Sequence, residues 1–152
     1  YLQTKTGPIA RAMRFWTRYR LQKVGSTLGL TIPPGCCGPG LSIAHYGTVV
    51  INKRAKIGRY CRLHPGVTVG IANGGVPTIG DGVYVGPGAV VYGPIEIGRG
   101  AVIGANSVVG RSVPSGVTVA GAPARQIATR DSVDLMPSHI KALVCKLIRG
   151  AI

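Results

Sequence analysis

Three histidines, His45, His64 and His139, are the side chains of this chain best suited to exchanging a proton near neutral pH. A histidine of this kind acts as a general base when it lies within reach of the proton it removes. Four cysteines, Cys36, Cys37, Cys61 and Cys145, could offer thiolate or metal chemistry instead. They form no Cys-x-x-Cys pair and have no His at a zinc-binding spacing, so no metal site is expected and they read as reduced thiols of a cytoplasmic protein. Cys61 reads more simply as a small core residue. What the histidines do depends on which elements hold them.

Those elements are written in a six-residue rhythm. Ile79, Val85, Val91, Ile97, Ile103 and Val109 recur every six positions, most of them followed directly by Gly, and Ile57, Leu63 and Val69 precede them in the same rhythm. A period of six suits neither a helix nor a simple strand and is the mark of a solenoid. Four residues beyond each aliphatic stands a small or β-branched residue, among them Cys61, Val67, Val83, Ala89, Ile95, Ala101, Ser107 and Val113. These can stack inside a narrow prism, while the remaining positions carry many of the 24 Gly and 11 Pro expected at corners. The same Gly and Pro content could mark a disordered chain, but 45% hydrophobic residues in a strict period exclude that reading. The fold expected is a hexapeptide-repeat β-helix with repeats from about Ile43 to Ala120.

Counting hexads places the histidines. Hexads beginning at Ile43, Val49 and Ile57, with two extra residues assigned to the second, make one three-sided turn, so Leu63 lies over Ile43. His45 and His64 then project from one face on successive coils, separated by about 4.8 Å plus a lateral offset. Pro87 and Ala105 fall on that face roughly 5 and 10 Å further along. The inserted loop 71–78, with Asn73, Gly74 and Gly75, is expected to overhang the neighbouring edge. A groove with imidazoles at one end, a Gly-rich loop beside it and backbone amides above suits a long thin thioester. Either histidine alone reads as a solvated surface residue; their alignment points to function.

Flanking segments divide the chain into residues 1–28, a basic helical segment; 29–128, the β-helix; and 129–152, an amphipathic helix. Ile9, Met13, Trp16 and Leu21 alternate with Arg11, Arg14, Arg18, Arg20 and Lys23 after Pro8, which suits the first turn of a helix. This helix is expected to cap the open prism, with a membrane-surface role compatible on its outer face. Residues 29–41 read as an irregular lead-in, and a second helix is expected after Pro137–Ser138. Lys and Arg outnumber Asp and Glu by 18 to 4, a formal charge of +14, which favours an anionic partner. No motif with interleaved aromatics points to nucleic acid. No apolar run reaches the roughly 20 residues of a membrane span.

The hexads, the His45 context IAHYGTVV, the segment CRLHPGVTVG, the motif IGANSVVG and the terminal AGAPAR together resemble the serine acetyltransferase branch of hexapeptide acyltransferases. Within that branch they look most like enzymes of capsule, exopolysaccharide and O-antigen gene clusters, over about residues 25–128. The resemblance implies a left-handed parallel β-helix, homotrimers with sites between subunits, and acetyl transfer from acetyl-CoA to a hydroxyl. It maps the catalytic base onto His45 and leaves His64 as a second base, an acceptor-binding group or a contact from the adjacent subunit. It puts the CoA contacts on Gly86, Ala105 and the stretch Ala120, Gly121, Ala122 to Arg125, with Arg111 or Arg125 near the phosphates.

Three departures steer the acceptor expectation. The Asp that precedes the catalytic His in serine acetyltransferases is Ala44 here, their later loop His falls in the Val76–Pro77 region, and the upstream Asp that orients the base aligns near Leu30. Asp81, Glu96, Asp131 and Asp134 are the only acids, so a backbone carbonyl or a neighbouring subunit would have to orient His45. The resulting expectation is an acetyl-CoA-dependent O-acetyltransferase acting on a sugar or polysaccharide precursor, in the cytoplasm or at the inner face of an anionic membrane. The alternatives are a serine or other small-molecule O-acetyltransferase and a non-catalytic scaffold.

Overall fold

The computed structural model describes residues 7–150; residues 1–6 and 151–152 of the expected flanks lie outside the described residues. The hexads wind into a parallel β-helix of about five coils. Its first face stacks Leu30–Thr31, Val49–Ile51, Thr68–Gly70, Val90–Tyr92 and Val108–Val109. The second stacks Lys56–Ile57, Thr78–Ile79 and Glu96–Ile97, extended by single bridges at Cys37 and Val113. Ser42–Ile43, Arg62–Leu63, Tyr84–Val85, Val102–Ile103 and Thr118–Gly121 form the third, which Ala124–Ala128 closes by doubling back antiparallel.

The six-residue positions line the prism as their period demands. Leu63, Val85, Val91 and Ile103 are fully buried, and so are the small partners Cys61, Ala89 and Ala101. Ser107 is drawn in with them, its hydroxyl buried without a hydrogen-bond partner. All four cysteines are free thiols, and burial pushes the Cys61 thiol up to about 12, which makes it a packing residue and not a nucleophile.

Backbone ladders between coils fix the register and correct the hexad count. Ile43 pairs with Leu63 on the third face, whereas Ile51, not Val49, pairs with Val69 on the first. The two extra residues therefore fall between Ile43 and Ile51, and not within 49–56. Both Val49 and Ile51 are buried, because positions two apart on a strand share a face. The segment 29–41 is also more regular than an irregular lead-in: Leu30 pairs with Val49 and Cys37 bridges to Ile57, so the first coil begins there.

The first helix, α1 (Pro8–Leu28), starts at the proline and ends on Gly29 in the left-handed conformation. It does not cap the prism, since none of its residues is buried. It meets the solenoid through its last turns, where Gly25 lies against the Leu30 carbonyl.

Residues 129–148 return along the third face. Ser132 donates to the Gly82 carbonyl, Arg62 to the Leu135 carbonyl and Thr118 to the Arg130 carbonyl, and Val102 is covered. The second helix, α2 (Ser138–Ile148), buries Val144 and Leu147. It can approach because two corner glycines face it: a Cβ on Gly82 would stand 3.1 Å from Val144, and one on Gly100 2.7 Å from Ile148. Gly100 also has φ +66°, which an L side chain adopts only with strain. Gly100→Ala should therefore cost about 1–3 kcal/mol, read as a lowered Tm in thermal unfolding.

Candidate active site

The two misplaced residues of the count turn out to be His45 and Tyr46. Ala44 donates to Leu63, which aligns it with His64, and the Gly66 amide donates to Thr48 while Gly47 packs on Pro65. Nothing on the next coil is left to face His45 and Tyr46. They are extruded as a bulge at the corner between the third and first faces, and Tyr46 is 94% exposed. Bulges of this sort re-aim a side chain. Here the bulge carries the exposed His45 ring to 5.9 Å, centroid to centroid, from the ring of His64.

His64 sits in a tighter environment. Its ring lies 5.0 Å from Tyr84 at 57°, a tilted contact across coils, and its Nε2 is buried without a partner. Arg62, two residues earlier on the same coil, also holds a buried Nε with no partner. Burial lowers the pKa of His64 from its ordinary 6.5, and the Arg62 charge and then the neighbouring His45 lower it further. Arg62 and Tyr84 were missed in the sequence. The hexad count that aligned His64 with its neighbours contained both, as the outward residues just before His64 and Gly86.

Above the histidines the corner is lined by small residues. In-register pairing along Ile43, Leu63, Val85, Ile103 and Val119 stacks His64, Gly86, Gly104 and Ala120 in one column, with Pro65, Pro87, Ala105 and Gly121 beside it. From His64 to Gly121 the corner rises roughly 14 Å, three strand spacings. Gly86, Ala105, Ala120 and Gly121 thus share the corner of the histidine pair. Ala122 follows at the turn, and Arg125 lies opposite Ala120 on the returning strand. Arg111 and Arg125 line a common cleft of about 430 Å³ at the end of the prism, with Tyr92, Pro123 and Gln126.

The loop 71–78 does not join them within this chain. It leaves the first face at the opposite edge, between Thr68–Gly70 and Thr78–Ile79. Ala72 and Gly75 exchange two hydrogen bonds of 3.0 Å, with Asn73 and Gly74 both at positive φ, so the Asn-Gly pair makes a tight closed turn. Gly75 packs on Pro94 and the Gly74 carbonyl accepts from Arg54.

The column and bulge belong to a recognisable class of solenoid. Residues 77–111 match the family described as bacterial transferase hexapeptide (six repeats). Over 104 residues the chain is 45% identical to serine acetyltransferase of Synechococcus elongatus, covering 65% of this chain and 43% of the relative. It is 38% identical over 122 residues to serine acetyltransferase of Mycobacterium tuberculosis, covering 77% and 53%. The crystal structure of serine acetyltransferase from Brucella abortus superposes with a TM-score of 0.69 at 34% identity, over 79% of this chain and 51% of that one. The structure of that enzyme in complex with coenzyme A gives 0.63 at 32% identity, over 79% and 50%.

The chain carries the hexapeptide-repeat transferase match over 77–111 and is a homologue of the serine acetyltransferases. It spans about half the length of the curated relatives it matches. The expected sugar acceptor is corrected by these relatives, which are serine acetyltransferases; the departures at Ala44 and Val76–Pro77 do not outweigh identity of this extent.

The electrostatics of His64 can be read directly. Its ring-proton shifts followed against pH should give a midpoint below 6.5, and Arg62→Met should raise that midpoint. Because the fold favours the neutral ring, the unfolded chain protonates first, so this contribution to stability is lost as pH falls below about 6.5.

Proposed function

We propose that the chain is an acetyl-CoA-dependent O-acetyltransferase with serine as acceptor. The observation that carries the reading is the imidazole pair, 5.9 Å apart at the foot of a column of small residues, in a homologue of serine acetyltransferases. His45, exposed on its bulge, takes the proton from the serine hydroxyl as that oxygen attacks the thioester carbonyl. The tetrahedral oxyanion is held by a backbone N–H of the corner. It collapses by breaking the carbon–sulfur bond, and the departing thiolate takes the proton back from the His45 imidazolium. Products are O-acetylserine and CoA.

His64 stays neutral during this cycle and lines the corner beside His45, its buried Nε2 turned away from the acceptor. The pantetheine arm lies along Gly86, Ala105, Ala120 and Gly121, where no long side chain obstructs it, and Ala122 lines the turn beyond. Arg111 and Arg125 face the phosphates from their shared cleft. In the proposed homotrimer, Asn73, Gly74 and Gly75 reach the site of a neighbouring subunit, because within one chain they turn at the wrong edge. No metal enters the reaction as written. The setting is cytoplasmic, with the basic segment making a peripheral membrane contact.

Full-length protein supplied with acetyl-CoA and L-serine should release CoA, followed by thiol titration, and form O-acetylserine, identified by mass. His45→Ala should lower kcat by about 10²–10⁴-fold while light scattering shows an unchanged assembly. CoA release that does not depend on serine, or undiminished turnover by His45→Ala, would sink the assignment.

A further inference from the structure

The least explained surface of the molecule is α1. It offers Ile9, Met13, Trp16 and Tyr19, at spacings of four, three and three, with exposures of 76, 51, 61 and 55%. Residues at those spacings share one helical face. Arg11, Arg14 and Arg18 recur on the opposite side with the exposed Phe15 beside them, while Arg20 and Lys23 fall on the apolar face, the Arg20 guanidinium 4.9 Å above the Trp16 ring. The helix carries five Lys and Arg and no acid. No Asp or Glu precedes Asp81 anywhere in the chain.

We infer that this helix lies in the interface of an anionic lipid bilayer, with Ile9, Met13, Trp16 and Tyr19 entering the acyl boundary and the arginines among the headgroups. The inference gives the peripheral contact of the proposed function its helix face and lipid chemistry, and does not depend on acetyl transfer. Charge chooses the occupant. A second copy would set five positive charges against five with no acid on either helix. Two of the four acids are already engaged: Asp81 pairs with Arg59, and Asp134 with Arg130 and Lys141. An acidic headgroup layer answers the arginines, and its hydrocarbon answers the apolar face. Trp and Tyr are the aromatic residues that partition at this boundary. Among the described residues no helix is long and apolar enough to cross a membrane, so the contact is a surface one.

Trp16 is the only tryptophan in the chain, so its fluorescence reports on this face alone. Full-length protein is mixed with vesicles of phosphatidylcholine, or of phosphatidylcholine with phosphatidylglycerol, and followed by emission and co-sedimentation. The expected result is a blue shift and sedimentation with the anionic vesicles only, weakened by salt. Met13→Asp should abolish both, and Arg18→Gln should weaken binding roughly fivefold. Both positions are on the exposed helix, and circular dichroism checks that the fold is kept. Serine-dependent CoA release without vesicles should be the same in Met13→Asp and wild type, so loss of lipid binding and loss of acetyl transfer are told apart. Unmoved emission, or equal binding to neutral vesicles, overturns the inference. So does a blue shift that needs no lipid and follows oligomer mass, which would assign the face to a second copy.

Discussion

Everything in this molecule depends on the hydrogen-bonded ladder between coils. Each coil must present its strand to the one below in register, and three six-residue sides make an eighteen-residue circuit. A coil with more residues has little freedom to spread them along its strands, because a one-residue slip would turn buried side chains outward and a longer one would pull its corners out of line with the next coil. Surplus residues have to leave at a corner. The distance from Ile43 to Leu63 carries two surplus residues and from Leu63 to Val85 four, and the ladder expels the first as His45–Tyr46 and the second as the loop at 71–78. The histidine therefore reaches out of the prism because the rest of its coil cannot move.

This constraint also explains how much could be read in the sequence. Inward positions such as Leu63, Val85 and Ile103 were legible because burial is periodic. The location of the two-residue surplus was not, because Val49 and Ile51 are both β-branched, both inward, and equally acceptable as the next hexad start. Only pairing with Val69 decides between them. The ladder shows His45 to be an insertion with no counterpart on the next coil. His64, by contrast, occupies an ordinary corner position aligned with Ala44. The pair is thus one regular residue and one extruded residue, which is why they meet ring to ring instead of standing in file.

The C-terminal segment was legible as a helix but not as a part of the site. Its return along the third face rests on contacts distant in sequence, such as Arg62 to the Leu135 carbonyl and Ser132 to the Gly82 carbonyl. Periodicity carries no trace of such pairings. Their effect is local to the site, since Arg62 is held beside His64 by a carbonyl some seventy residues away. The arm thereby fixes a positive charge next to an imidazole whose ring nitrogen is already cut off from water. Substitutions in 129–136 are coupled to the histidine pair through that arginine.

The large excess of basic residues has two consequences that reinforce each other. Near the corner, burial first and then Arg62 and His45 disfavour protonation of His64 and hold its pKa below the ordinary value. At the far end, Arg111 and Arg125 draw negative charge into the cleft where the proposed donor's phosphates lie. An acid placed to orient His45 would oppose the first of these effects by neutralising the corner. The carboxylates that remain are kept elsewhere. Burial alone would raise the pKa of Asp81, but the Arg59 amide and guanidinium hold it low at the corner between the second and third faces. Asp134 is taken up by Arg130 and Lys141 on the returning arm. In the proposed reaction His45 is aimed by backbone shape, and the two-residue bulge at His45–Tyr46 supplies that shape.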